Sequence, residues 1–501
     1  MNNPERMSLR GRMGFLFRDT AIYGFGEALN RGFALITFPL LARHFSVGEF
    51  GVIDLLSTAV VMLVVLLVFG QDSAVARYYY DTDDVTTRRQ IISQSLSFEV
   101  ALMLIILPPI WLFAEPIGEW LGLSQANGAT LIRLMVLQAP FFVLVNLSQG
   151  ILKWTFKRWH FLFMSVGATV ATLAGLSVAI LFFDADIAGV FAVYLGVRAL
   201  FGLVGLWFIR EWLALPTGWG QLRKLLPFAL PFGTICVIAA GIPVLERSLV
   251  GTMLGDEALG LFAAGAKVAT LIALFIAAIE TSWGPFSLAL HKEADVAATY
   301  NYVLRAVSFL LFAMVLGLAA FADPVVSLLG SSRYEGAGIV TFAACFGMAV
   351  NALGSITGVG IVLSKRAYLK LYGYGTLLVV AMVAIPSLAW LFGIAGAAWG
   401  SMLALLSKTV IETLLAQRAH RLEWRYGGPA LLGILTIAIG AAHQMTYHHL
   451  DVAGVSILPL GGVAVLGVVA WFALFDAAER FKLLGLVLGL LRGKLRYGGL
   501  A

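Results

Sequence analysis

Glu27, Arg31 and Asp54 lie within two long apolar stretches between Phe15 and Tyr80, and Glu246, Arg247 and Lys267 lie within two more. A charged side chain at a bilayer centre costs roughly 2.5–3.5 kcal/mol on insertion scales, so such residues line a cleft or pair with one another instead of meeting acyl chains. Glu27 and Arg31 are four residues apart and share a helix face, and Asp54, Ser57 and Thr58 make a second polar stripe. At about 1.5 Å rise per residue, Arg31 and Lys267 fall near mid-membrane and Arg247 nearer one end. Two chemistries are open to this set: reversible binding of a charged cargo or ion in a cleft, or mutual neutralisation inside a packed bundle. Pro39 and Pro243 share helices with these charges. Each removes a backbone hydrogen bond and is a candidate gate hinge or a static bend.

The elements that must position these residues are membrane spans. Hydrophobic residues make up 60% of the 501, charged residues 12%, and the mean hydropathy is +0.91, whereas soluble domains are about a quarter charged. The expected fold is an all-α polytopic membrane protein. At about 20 apolar residues per span, about fourteen transmembrane helices fit, near 19–44, 49–76, 91–114, 129–152, 160–183, 186–210, 225–252, 257–282, 301–321, 336–361, 367–391, 394–417, 428–446 and 453–475. Short cytoplasmic loops are enriched in Lys and Arg. Such residues gather in alternate connections, as in Arg77, Arg88 and Arg89 after the second span and Lys153, Lys157 and Arg158 after the fourth, while the opposite loops hold only Arg43 and Arg333. This alternation predicts both termini in the cytoplasm. The net charge of +6 is thereby a topological signal, and nucleic acid is not an expected partner.

An internal repeat organises the spans. FAEPIGEWLGLS from Phe113 and FADPVVSLLGSS from Phe321 match at an offset of 208, which also lays Lys157-Arg158 on Lys365-Arg366; an offset of 209 lays Gly51 on Gly260. An even number of spans separates the copies, so the halves share one orientation about an axis along the membrane normal. The expected organisation is an N-terminal six-helix bundle at 1–212, a second at 213–421, two extra spans at 422–476 and a cytoplasmic interfacial segment at 477–501. The cleft between the bundles is where a transporter of this design binds cargo.

Other signals carry less. Lys408 and Glu412 are four apart and read as an internal pair, with Arg198 as a first-half counterpart. Arg133 and Glu99 read as span-end or snorkelling residues. Cys236 and Cys345 lie in apolar segments and read as core residues. His443, His448 and His449 lack recognised metal spacing, so no metal site is expected. No phosphate-binding loop, nucleophile elbow or kinase set is present, so no catalytic residues are assigned and the chain does not read as an enzyme.

The opening RDTAIYGFGEALNRGFALITFPLLARHFSVGEFGVIDLLSTAV, with GQDSAVARYYY after it, resembles the polysaccharide biosynthesis and O-antigen flippase family of the multidrug/oligosaccharidyl-lipid/polysaccharide exporter superfamily. The resemblance implies movement of a polyprenyl-pyrophosphate-linked oligosaccharide from the cytoplasmic to the outer leaflet of a bacterial inner membrane by alternating access. It implies that Arg31, Arg247 and Lys267 meet the pyrophosphate or acidic sugars, and that Glu27 or Asp54 binds a coupling H+ or Na+, with no other cofactor. Membrane lipids, a polysaccharide polymerase and glycosyltransferases are the implied partners. Two rival readings remain. A drug/cation antiporter of the same superfamily would have a cleft dominated by acids and aromatics, which the three cations oppose. A membrane glycosyltransferase or polymerase would need a large outer loop, and the loops here are short.

Overall fold

The computed structural model describes residues 36–123, 127–291, 293, 295–446, 451–452, 455–474 and 480. The chain is an all-helical, multi-pass membrane protein. Eleven described helices are long and apolar enough to cross a bilayer. In chain order the helices are α1 (36–44), α2 (Val47–Val68), α3 (Gln71–Tyr79), α4 (Val85–Leu112), α5 (Ala114–Trp120), α6 (Gly128–Trp154), α7 (Arg158–Phe183), α8 (Ile187–Ile209), α9 (Gly220–Leu254) and α10 (Asp256–Leu290). There follow α11 (Val296–Ala320), α12 (Ala322–Leu329), α13 (Gly338–Leu363), α14 (Lys370–Ala419), α15 (Gly427–Met445) and α16 (Ile457–Ala473). A two-residue antiparallel ladder pairs Asp451–Val452 with Val455–Ser456 before α16. Helix α14 breaks at Gly393, φ 60°, and so supplies two spans. The interfacial segment expected at 477–501 lies outside the described residues except for Arg480.

Local chemistry explains the breaks. The expected second span at 49–76 instead divides into α2 and α3, because Phe69 and Gly70 take left-handed backbone, φ 44° and 75°. Gly70 tolerates this without a Cβ penalty. Helix α2 starts at a capping box, in which the Ser46 hydroxyl accepts from the Glu49 amide and the Glu49 carboxylate accepts from the Ser46 amide. Asp84 caps α4 by accepting from the Thr86 and Thr87 amides, and these bonds with the Thr87 hydroxyl hold its carboxyl below the ordinary value. Helices α9 and α10 have 35 residues each, about 50 Å at 1.5 Å per residue, so they reach beyond an apolar core of about 30 Å.

Segments matched in sequence fold alike. The two FAEP/FADP stretches form the short helices α5 and α12, each after the third span of its half. Ser93 on α4 accepts from the Ala214 amide at 2.9 Å, and Asn301 on α11, 208 residues on, accepts from the Arg425 amide at 2.5 Å. Each thus ties down the chain leaving its own half. Gln94 beside Ser93 accepts from the Gln221 and Leu222 amides and caps the start of α9. The face carrying Arg88, Lys153, Lys157 and Lys365 is called the basic face below.

Candidate functional site

Helix α2 packs on α9 and α10 of the second half along its whole length, and α3 and α4 also touch α9. At the end away from the basic face it packs on α10 so closely that a Cβ built on Gly260 would lie 1.9 Å from the Val47 carbonyl oxygen, and one on Gly51 would lie 2.6 Å from the Gly260 nitrogen. Only glycine permits this approach. The rings of Phe38, Phe50 and Tyr334 cluster beside it, with Phe38 and Phe50 centroids 5.2 Å apart. Arg43 donates to the Leu328 carbonyl at 2.9 Å while Arg333 donates to the Arg43 carbonyl at 2.8 Å. The two arginines of that face therefore cross-link the halves. At the other end, a Cβ on Gly233 of α9 would lie 2.5 Å from the Phe69 carbonyl.

Between these ends three of the expected site residues meet. Asp54 projects from α2, and its Oδ2 accepts from Arg247 Nε of α9 at 2.6 Å while its Oδ1 lies 2.8 Å from Lys267 Nζ of α10. The carboxylate is 2% exposed, Arg247 11% and Lys267 37%, so Lys267 is the open side of the cluster. Arg247 also folds back to donate to the Pro243 carbonyl at 3.2 Å, which joins the candidate hinge on α9 to the charge cluster. Pro39 lies in α1, beside the Phe38 cluster. One acid faces two bases, which leaves these three side chains with one excess positive charge. Arg247 and Lys267 are thus arranged to hold an anion, and in the described state Asp54 supplies it. Glu27 and Arg31 lie outside the described residues.

Some groups sit differently from expectation. Glu99 does not snorkel: it is 2% exposed within the first half, because α3 turns back at Gly70 and covers it. His443 lies in α15 and is 4% exposed; His448 and His449 lie outside the described residues. Lys408 pairs with Glu412 at 3.1 Å and with Asn351 Oδ1 at 2.8 Å. Arg198 bonds Gln138 and lies 4.2 Å over the Phe142 ring. Cys236 and Cys345 are free, Cys345 fully buried. The Arg43 and Arg333 cross-link was missed; their being the two basic residues on one face is the sequence signal that marks them.

The fold has close counterparts. A lipid II flippase, MurJ, in an inward closed conformation superposes with a TM-score of 0.69 at 14% identity over 89% of this chain and 96% of that one. An inward-facing multidrug-resistance MATE-family transporter of the MOP superfamily gives 0.63 at 14% identity over 77% and 93%. A MOP superfamily transporter from Pyrococcus furiosus, described as having a binding pocket of reversed polarity, gives 0.53 at 16% identity over 80% and 95%. No curated protein matches the sequence. A family model described as polysaccharide biosynthesis protein matches residues 40–338, a stretch that contains Asp54, Arg247 and Lys267; the chain belongs to that family.

Proposed function

We propose that the protein is a flippase for a lipid-linked oligosaccharide, and that its pyrophosphate head replaces Asp54 as the partner of Arg247 and Lys267. The observation that carries this reading is the double ion pair from one carboxylate of the first half to two cations of the second. A buried charge keeps its place only when an opposite charge or donors replace water. Cargo anion and Asp54 therefore compete for the same two cations, and a bound head group frees α2 from α9 and α10. Binding loosens the bond between the halves, which is what alternating access requires of its cargo. Arg247 offers a planar fork to phosphate oxygens and Lys267 a more exposed point charge. The basic face is taken as cytoplasmic and the protein as resident in a bacterial inner membrane, following the Lys and Arg bias of its short loops.

The test is export of lipid-linked oligosaccharide in cells of the source strain carrying variants at matched abundance. Lys267→Gln and Arg247→Gln should each accumulate the lipid-linked precursor on the inner leaflet, with Arg247→Lys recovering part. Wild-type export by the Arg247→Gln, Lys267→Gln double variant would show that these charges are structural. Export of amphipathic cations with no oligosaccharide phenotype would favour the antiporter reading.

A further inference from the structure

Glu99 of α4 is 2% exposed, and its Oε2 has no hydrogen-bond partner among the described residues. It borders a cavity of about 460 Å³ on the basic-face side of the molecule, whose wall also includes Asp72, Ser95, Asn146, Lys153 and Cys236. No described ion pair reaches it: Lys153 Nζ rests 4.8 Å over the Phe161 ring, and Asp72, the charged neighbour on α3, is an acid whose Oδ1 accepts from the Ser73 amide at 2.7 Å. The other elements of the wall, α2 and α9, contribute apolar groups, Gly70 and the Cys236 thiol. One turn from Glu99, Ser95 donates to Gln71 Oε1 at 3.2 Å, and Gln71 Nε2 is likewise without a partner. An ionised carboxylate so placed is very costly, whereas one proton on a single oxygen removes the cost.

The cavity is also where the halves meet. Its wall combines α2, α3, α4 and α6 of the first half with Cys236 of α9 from the second, and it runs up to Gly70, at the junction where Gly233 of α9 packs on Phe69. Moving α9 off this junction admits water to Glu99, and water stabilises the ionised form.

We propose that Glu99 is a proton-binding site of the first half, loaded while α9 packs on the Phe69 junction and unloaded when α9 withdraws. Asp54, already shared by two cations, is spared this role. The step is a transfer of one proton between the carboxyl oxygen and cavity water, with no other bond made or broken. It does not depend on what the cargo is.

The experiment uses purified full-length wild-type protein in lipid vesicles, treated with dicyclohexylcarbodiimide over a pH series, with the modified residue located by peptide mass mapping. This reagent adds to protonated carboxyl groups in apolar surroundings. Glu99 should be labelled, and labelling should fall as pH rises, approaching about tenfold per pH unit beyond its titration. Alkylation of the native Cys236 thiol, half-buried where α9 meets the cavity, should rise with pH more steeply in wild type than in Glu99→Gln, the excess reporting withdrawal of α9. No labelling at Glu99 at any pH, or labelling independent of pH, overturns the proposal. Protection of Glu99 by sodium at fixed pH overturns it in favour of a metal-cation site. Because no readout uses cargo, a failed oligosaccharide assay leaves this result standing, and the reverse also holds.

Discussion

Each half holds a cation between its fourth and sixth spans, and only one of the two has a described carboxylate beside it. In the second half Lys408 is held by the Asn351 amide oxygen, by Glu412 and by the Tyr374 ring, 4.6 Å from its centroid. In the first half Arg198 has the Gln138 amide oxygen and the rings of Phe142 and Tyr194, 4.2 and 5.6 Å from their centroids, but no described carboxylate. Lys408 thus has its counter-charge on its own helix, one turn away. Among the described residues the first half keeps a cation without an acid, Arg198, and an acid without a cation, Glu99, on different helices. A cation with an amide and two aromatic faces is tolerable because the guanidinium is weakly hydrated and stacks well. The difference teaches that Lys408 is neutralised where it sits, whereas Arg198 is held by an amide oxygen and ring faces alone among the described residues.

That contrast can be broken by removing the distinguishing acid. Glu412→Gln strands Lys408 with one amide and one ring, and loss of a partner from a buried pair costs about 3 kcal/mol; thermal unfolding of the purified protein should show the largest drop of this series. Arg198→Met leaves no charge behind and removes stacking and one hydrogen bond, so a smaller loss of about 1–2 kcal/mol is expected by the same measurement. Equal losses from the two variants would erase the distinction between the halves. As a surface reference, Lys157→Ala removes the pair with Glu211, whose side chain is 52% exposed, and should change stability by less than about 0.5 kcal/mol.

The span pattern was legible because twenty-residue apolar runs and alternating basic loops are one-dimensional signals. Position along a span is one-dimensional too, and so Asp54, Arg247 and Lys267 could be singled out as charges at lipid depth. Their partnership could not be read: a residue's depth does not tell which face of α2 turns toward α9 and α10, and that orientation is set by the glycine contacts at its two ends. The break at Phe69 and Gly70 is marked in sequence only by Gly70 and the polar Gln71, Asp72 and Ser73 after it, which also suit the end of a span; the turn back into α3, where Gly233 packs on Phe69, is a tertiary feature. Glu99 misled for the same reason. A lone acid along α4 from Arg88 and Arg89 looks able to reach water, and only the fold of α3 over it shows that it does not.

Gly51 and Gly260, 209 residues apart, meet each other at the closed end, and Arg43 and Arg333 reach across the same boundary in opposite directions. Among assemblies a contact between equivalent positions, as Gly51 and Gly260 make here, is the mark of an isologous interface. Folded into a single chain, it means that the glycine pair of this seal joins matched positions of the two halves, while the flanking arginines do not.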